Sequence, residues 1–492
     1  MILILVFITI VILLWLDTVK PIYFPPGPGW VPWLGNTLLV RKLTRKYGGQ
    51  HEIFDYLCQK YRSQIVGLRL GRELTVAIRG HALVKEALSN DAILGRPDNF
   101  FYRLRTLGQR KGLSFTDGEL WEQHRPFISK SLRHVGYGKP QMEKIILQEL
   151  EAVVRLIDEE NPCIQPHQLL TTSSFNVLWT LVTGKRIERN EERPRKLLQT
   201  LRDRSGHFDL AGGVLNQVPW LRFLVPEWSG FNFMVDFNQQ MASYFSEIVR
   251  QHFETYTDEK AADDLIYAYV KEVKEHSNDP DTSYTEFQIT ATVLDLFIAG
   301  GLNNSVVLDQ LLLMMVVRPD IQAKLHETID QLQDRVRWSD RDKLPYVQAV
   351  ILEVQRFYPT IAFGGPRRAL QDCTIGGYRI PKGTTLFPDL KSVHHEQEYW
   401  KDPEVFRPER FLDDNGKLHN TERVVPFSLG KRRCLGEVQA KTTVFLFFTG
   451  LLQQFEIILP DGAGTPSTEM TPGMMYMPKP FKVSFKRKRR AV

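Results

Sequence analysis

Cysteine is scarce in this chain of 492 residues: Cys58, Cys163, Cys373 and Cys434 are the only four, and no two form a CxxC pair. Thiols so far apart argue against a disulfide scaffold and a structural zinc site, and fit reduced cysteines facing the cytosol. Internal repeats, low-complexity tracts and linkers rich enough to split the chain are also missing. Charge of one sign is in small excess, 63 Lys and Arg against 57 Asp and Glu, a formal +6. Much of that excess lies in the closing run Lys486, Arg487, Lys488, Arg489 and Arg490. Such a run reads as a solvated terminus, with contact to anionic membrane lipid as the functional alternative. No nucleic-acid-binding motif accompanies it, so no nucleic-acid partner is expected. What remains is ordinary globular material, 43% hydrophobic and 24% charged, with enough apolar side chains for a large core.

Charge is absent altogether from Met1 to Leu16, MILILVFITIVILLWL. The run is a little short of the roughly 20 apolar residues of a spanning helix. No basic residue precedes it and no small-x-small site follows, which argues against a cleaved signal peptide. Asp17 and Lys20 close it, and Arg41, Lys42, Arg45 and Lys46 follow. Positive charge on that side places the bulk of the chain in the cytosol. The expected organisation is a membrane anchor over 1–20, a stiff hinge over 21–36 built on Pro25, Pro26 and Pro28, and one catalytic domain over 37–492.

Within that domain helical patterns dominate up to about Tyr358, and short strands and turns follow. Apolar residues from Gln141 to Ile157 recur at helical spacing, Leu74 to Ile78 reads as a strand, and Cys373 to Ile380 folds about a Gly376-Gly377 turn. Thr285 to Val317 reads as one long helix, capped by Thr285 and limited by Pro319. The stretch Pro219 to Met234, PWLRFLVPEWSGFNFM, is either a buried connection or a surface dipping into a membrane interface.

The most informative stretch is Pro426 to Glu437, PFSLGKRRCLGE. A cysteine kept as thiolate for metal ligation needs hydrogen-bond donors and positive charge nearby. Gly430 and Gly436 permit a tight turn and close backbone approach, Arg432 suits pairing with a carboxylate, and Phe427 can keep water from the sulfur. Phe427-x-x-Gly430-x-Arg432-x-Cys434-x-Gly436 resembles the haem-binding signature of the cytochrome P-450 family at every defining position. Trp121-x-x-x-Arg125, Glu353-Val354-Gln355-Arg356 and Pro408-Glu409-Arg410-Phe411 resemble further elements of that family, in its order, and the resemblance covers the whole chain.

The resemblance implies a mainly α fold with a minor β region behind an N-terminal transmembrane anchor. It makes Cys434 the thiolate ligand of haem iron. Trp121, Arg125 and Arg432 become propionate partners, and Phe427, Gly430 and Gly436 shape the loop that carries the sulfur. Glu353, Arg356 and Arg410 become a buried structural charge network. It further implies an NADPH-dependent flavoprotein reductase as partner, docking near Lys130, Arg133, Lys431 and Arg433. Dioxygen, a lipophilic small-molecule substrate and residence in the endoplasmic reticulum membrane with a cytosolic catalytic domain complete the expectation. By family position, Phe100, Phe101, Phe115, Leu296 to Gly300, Ile361 to Phe363, Met474 and Met475 line the substrate pocket.

One element departs from the family pattern. The middle of the distal helix normally carries a small residue, Gly, any residue, an acid and Thr; this chain has Ala299-Gly300-Gly301-Leu302-Asn303-Asn304. Gly300 then leaves room for dioxygen, while Leu302 stands in the acid position and Asn303 in the Thr position. An amide can hold a water but is not an ordinary general acid. Asn303 and Asn304 are therefore candidates for organising distal water in a monooxygenase. The alternatives are a reductase-independent isomerase or dehydratase of lipid peroxides, and a non-catalytic haem-binding sensor. A purely structural role at a kink near Gly300-Gly301 is also open. The lead-in LDTVKP before FPPGPGW, with the paired asparagines, is similar to insect juvenile-hormone epoxidases acting on farnesoic acid or methyl farnesoate.

Overall fold

Helical periodicity over Gln141–Ile157 becomes the helix Pro140–Glu160 in the computed structural model of the chain, which describes residues 2–160, 163–207, 213–471, 473 and 475–488. Ile146, Leu150 and Val153 on its inner stripe are fully buried. It packs against Pro166–Thr183, which in turn packs against Asn303–Val317, and Glu437–Gln454 contacts all three. These last three helices are apolar around most of their circumference, as helices at the centre of a large core must be. Pro166 starts one of them where no intrahelical N–H is needed, and Gly184 ends it in the left-handed region at φ 68°.

The β part is small. Ile65–Leu70 and Glu73–Ile78 form an antiparallel hairpin, Thr385–Pro388 joins it in parallel, and Arg367–Arg368 closes a four-stranded sheet. The expected Gly376-Gly377 turn joins Cys373–Ile375 to Tyr378–Ile380, with both glycines at positive φ as a tight hairpin demands.

Ile2–Leu16 is helical and buries none of its side chains. The proline segment after it is no loose linker. Gly67 N–H donates to the Pro26 carbonyl, Asn36 N–H to the Arg69 carbonyl, and Arg69 pairs with Asp17 at 2.7 Å while stacking on Trp30. A Cβ at Gly27 would stand 2.0 Å from the Gly67 carbonyl oxygen, so the glycine is what lets the hinge lie on the sheet.

The single long helix expected from Thr285 to Val317 is two. Thr285 caps the first as expected, its hydroxyl accepting from Gln288 N–H at 3.2 Å. That helix ends at Gly300; a second starts at Asn303, with Leu302 outside helical geometry at φ −125°, ψ −29°. The Asn303 side-chain amide donates to the Ala299 carbonyl at 2.6 Å, supplying the bond that the interrupted backbone does not. The stretch Pro219 to Met234 is a surface rather than a buried connection: Trp220, Phe223, Leu224 and Trp228 are exposed, and only Ser229 and Met234 are buried.

Candidate active site

Cys434 sits in a loop closed by its own backbone. Its N–H donates to the Phe427 carbonyl at 2.9 Å, and Arg433 N–H to the Gly430 carbonyl at 3.1 Å. Ser428 and Gly430 turn the chain at φ 63° and 72°. Gly430 is required for a reason other than approach to a flat ligand: a Cβ there would lie 2.1 Å from the Leu88 carbonyl oxygen. Gly436 needs no special conformation, at φ −84°; it precedes the helix Glu437–Gln454, and a Cβ there would only touch the Cys434 sulfur at 3.8 Å. Tyr137 pins the loop exit, its hydroxyl donating to the Leu435 carbonyl at 2.7 Å and accepting from Gln439 N–H. The Cys434 thiol opens onto an internal cavity. Burial raises its pKa, and the Gly436 N–H and the charge of Arg125 pull the other way.

That cavity has a volume of about 320 Å³. Phe427, Pro426 and Gly436 lie beside the sulfur; Ala299, Gly300, Asn303 and Val307 of the distal helices line it as well. Leu113, Leu178, Leu296, Ile361 and Phe363 supply an apolar wall.

Five arginines, Arg96, Arg125, Arg367, Arg432 and Arg433, also line it. Arg432 lies 3.8 Å from the centre of the Trp121 ring, and its Nε and Nη2 are buried without a partner. Burial, with Arg96 next to it, pushes Arg432 down to about 9. Arg96 is held at about 10, chiefly by burial, and Arg367 is lowered by burial and by the charges of Arg96 and Arg432. Crowded cations with orphan donors need an anion to complete them. A flat macrocycle with two carboxylates and an iron that takes sulfur fits this set, so Cys434 is placed to ligate haem iron and the arginines to hold its propionates.

Trp121 and Arg125 come from the helix Gly118–His134 and reach the cavity as expected; Arg125 also donates to the Arg433 carbonyl at 2.9 Å. Arg96 and Arg367 were not foreseen. Arg96 lies in a loop and Arg367 in a two-residue strand, and the two segments are joined by the bridge Gly95↔Arg368 and by Arg96 Nη1 donating to the Pro366 carbonyl at 2.7 Å. The motif that would have pointed to them is absent, because their neighbours in space are far away in sequence.

On the distal side the expectations need correction. Gly300 lines the cavity as expected, and a Cβ there would stand 2.4 Å from Leu178 Cδ2, so its smallness also serves helix packing. Leu302 is buried among core side chains and is not a cavity residue. Asn303 and Asn304 both reach the cavity, yet Asn303 is engaged at the helix break, and Asn304 Nδ2 donates to Gln439 Oε1 at 3.4 Å. Among the expected pocket residues, Leu296, Ala299, Ile361 and Phe363 line it. Phe297 is core; Phe100 and Phe101 belong to a separate cluster with Leu215 and Met234; Phe115 stacks on Tyr102 at 4.7 Å. Met475 is buried at Ser205, and Met474 lies outside the described residues.

The charge network is as expected. Arg356 grips Glu353 with Nε at 2.7 Å and Nη2 at 2.9 Å, and Arg410 Nε reaches the same carboxylate at 3.1 Å. The Arg407 N–H adds a fourth bond at 2.7 Å. Glu353 and Arg356 are fully buried. Lys130, Arg133, Lys431 and Arg433 are exposed near the loop, with Lys431 paired to Asp91 at 2.7 Å.

Comparison with known proteins agrees with this geometry. The family model described as Cytochrome P-450 matches residues 25–485. The chain is 43% identical over 481 residues to "Probable cytochrome P-450 305a1" of Drosophila melanogaster, covering 95% of this chain and 94% of that one. It is 37% identical over 469 residues to "Farnesoate epoxidase" of Bombyx mori, covering 94% and 93%. Human "Cytochrome P-450 2D6" is 32% identical over 472 residues, covering 94% and 93%.

Proposed function

Since the chain belongs to the cytochrome P-450 family, we propose that this haem monooxygenase epoxidises an unsaturated sesquiterpenoid of the farnesoic acid type, drawing electrons from an NADPH-dependent reductase. The observation that carries the reading is the cavity itself. Its Cys434 sulfur and its arginines suit a haem, and an apolar wall of Leu113, Leu178, Leu296, Ile361 and Phe363 suits a lipophilic molecule. Likeness to a protein named Farnesoate epoxidase supports the choice of substrate class.

The bound haem supplies dioxygen activation and the transfer of one oxygen atom to the alkene. The protein supplies the setting. Cys434 donates electron density through its thiolate, and the Gly436 N–H together with Arg125 stabilises that charge. Phe427 and Pro426 shield the sulfur from water. Ala299 keeps the distal wall small, and Asn303, whose Nδ2 bridges the helix break and whose Oδ1 has no partner among the described residues, would hold a water there. Exposed Lys130, Arg133, Lys431 and Arg433 attract an acidic electron donor to the thiolate side. Ile2–Leu16 anchors the enzyme in the endoplasmic reticulum membrane, and Trp220, Phe223, Leu224 and Trp228 rest in the interface, so that substrate arrives from lipid.

The test is turnover by purified holoenzyme with reductase, NADPH and farnesoic acid under isotopically heavy dioxygen. An epoxide carrying one labelled atom is expected. No oxygenated product, with a normal thiolate spectrum, sinks the sesquiterpenoid assignment; product formed from a lipid peroxide without NADPH sinks the monooxygenase reading.

A further inference from the structure

Arg204, on the helix Glu192–His207, is a buried cation with no counter-ion among the described residues. Its side chain lies in a residue only 5% exposed, and its Nε and Nη1 have no hydrogen-bond partner. Two other buried guanidiniums are matched, Arg356 to Glu353 and Arg105 to Asp295 at 2.6 Å, while Arg96, Arg367 and Arg432 line the Cys434 cavity as the candidate propionate partners. The charged group that acts on Arg204 is another cation, Arg105, which together with burial lowers it to about 9. The Phe237 ring lies 5.4 Å from the guanidinium carbon. Asn238, next in the chain, is fully buried; its Nδ2 donates to the Leu104 carbonyl at 3.0 Å and its Oδ1 has no partner.

The position of this group relative to the haem cavity follows from its neighbours. Leu201, one helical turn before Arg204 and so on the same face, comes within 3.0 Å of the Cβ position of Gly301 at the break of the distal helix. Arg105, beside Arg204, bonds Asp295, a cavity-lining residue. Arg204 is thus linked to the cavity through two neighbours, Leu201 at the helix break and Arg105 on Asp295, and it packs against Phe237. Folding a cation into such a place without a partner is unfavourable by several kcal/mol, and a guanidinium is shaped to accept a carboxylate through two parallel hydrogen bonds.

We infer that Arg204 is a substrate-recognition residue that binds the carboxylate of an elongated lipophilic acid whose chain runs down past Asp295 to the haem. The inference rests on the oxygenase reading for its substrate and narrows it: the enzyme takes the free acid in preference to the methyl ester. An ester cannot offer a charged oxygen to Arg204 and leaves the buried cation uncompensated.

Two ligand pairs test this on the intact holoenzyme by titration of the haem absorption band: farnesoic acid against methyl farnesoate, and dodecanoic acid against its methyl ester. Each acid is expected to bind roughly tenfold or more tightly than its ester, the usual scale for a hydrogen bond to a charged group. In Arg204→Met, which is close in size and removes an uncompensated charge, that ratio falls to near unity; Arg204→Lys retains part of it. Haem content and melting temperature of the variants report whether they fold. Equal affinity of acid and ester in the wild type overturns the inference and marks Arg204 as a hydrated cation only. An acid preference that survives Arg204→Met overturns it too. An acid preference without any oxygenation of farnesoic acid leaves Arg204 in its role and removes the sesquiterpenoid reading instead.

Discussion

At Cys434 the whole chemistry depends on one sulfur atom, and its replacement is the simplest test. Cys434→Ala is expected to abolish the thiolate absorption signature and all turnover while leaving the secondary structure unchanged by circular dichroism. The unforeseen arginines make a finer prediction. Arg367→Met removes one of the cations crowded at the cavity end; haem is then expected to be lost more readily to an apo-globin acceptor, by about tenfold in rate if one charge-assisted bond is removed. His394 ties stability to pH at the same loop. It is fully buried, its Nε2 accepts from Val425 N–H at 2.9 Å just before the loop starts, and burial lowers it to about 3. A histidine depressed in the folded state binds a proton more readily when unfolded, so its stabilising effect is complete above about pH 6.5 and declines as pH falls towards the folded value. Denaturant titrations across that window are expected to show a slope that His394→Leu flattens, at a cost of about 1–3 kcal/mol for the orphaned Val425 N–H.

The distal helix is where a single residue sets the shape of an element. Asn303 bridges the break by donating to the Ala299 carbonyl. Asn303→Leu leaves that carbonyl bare and is expected to destabilise the holoenzyme by about 1–3 kcal/mol. Asn303→Thr keeps a donor within reach and puts a hydroxyl beside the cavity, so product formed per NADPH consumed is expected to rise; a fall would mean that the amide itself positions water. Gly300→Val tests the packing reading: its side chain meets Leu178, so the variant should lose thermal stability before it loses the ability to bind dioxygen analogues. Glu353 closes another element-scale contact, joining the helix Pro345–Phe357 to the turn at Pro408–Phe411. Glu353→Gln leaves Arg356 and Arg410 short of their counter-charge in a dry interior, a loss of about 3–5 kcal/mol, which expression yield and haem incorporation will report.

Over the whole molecule, the exposed apolar side chains of one stretch stand out. Trp220, Phe223, Leu224 and Trp228 are exposed, and the guanidinium of Arg41 stacks 4.9 Å over Trp228. Replacing Phe223 and Leu224 by serine is expected to weaken retention of an anchor-deleted enzyme on phospholipid vesicles, as measured by flotation, without changing its haem spectrum. Unchanged retention would place the membrane contact elsewhere.

The amino-acid sequence alone marked Cys434 with Arg432, Trp121 with Arg125 and Glu353 with Arg356 as candidates, because each pair lies a few positions apart on one loop or one helical face; Arg410, 57 residues from Glu353, was legible only through the family resemblance. Local spacing also sufficed for the Thr285 cap and the Gly376-Gly377 turn. Only the tertiary structure decided what lies across long separations. Arg96 and Arg367 reach one cavity from segments some 270 residues apart, the proline hinge lies on the sheet, and Arg204 is left in the interior without a counter-ion among the described residues. The break in the distal helix belongs with these. Its sequence left a kink near Gly300-Gly301 open as one reading, but nothing in it registers that Leu178, Leu198 and Leu201 press on Gly300 and Gly301 from two other helices. Periodicity reports which face is apolar; close packing between distant segments sets where the backbone must give way.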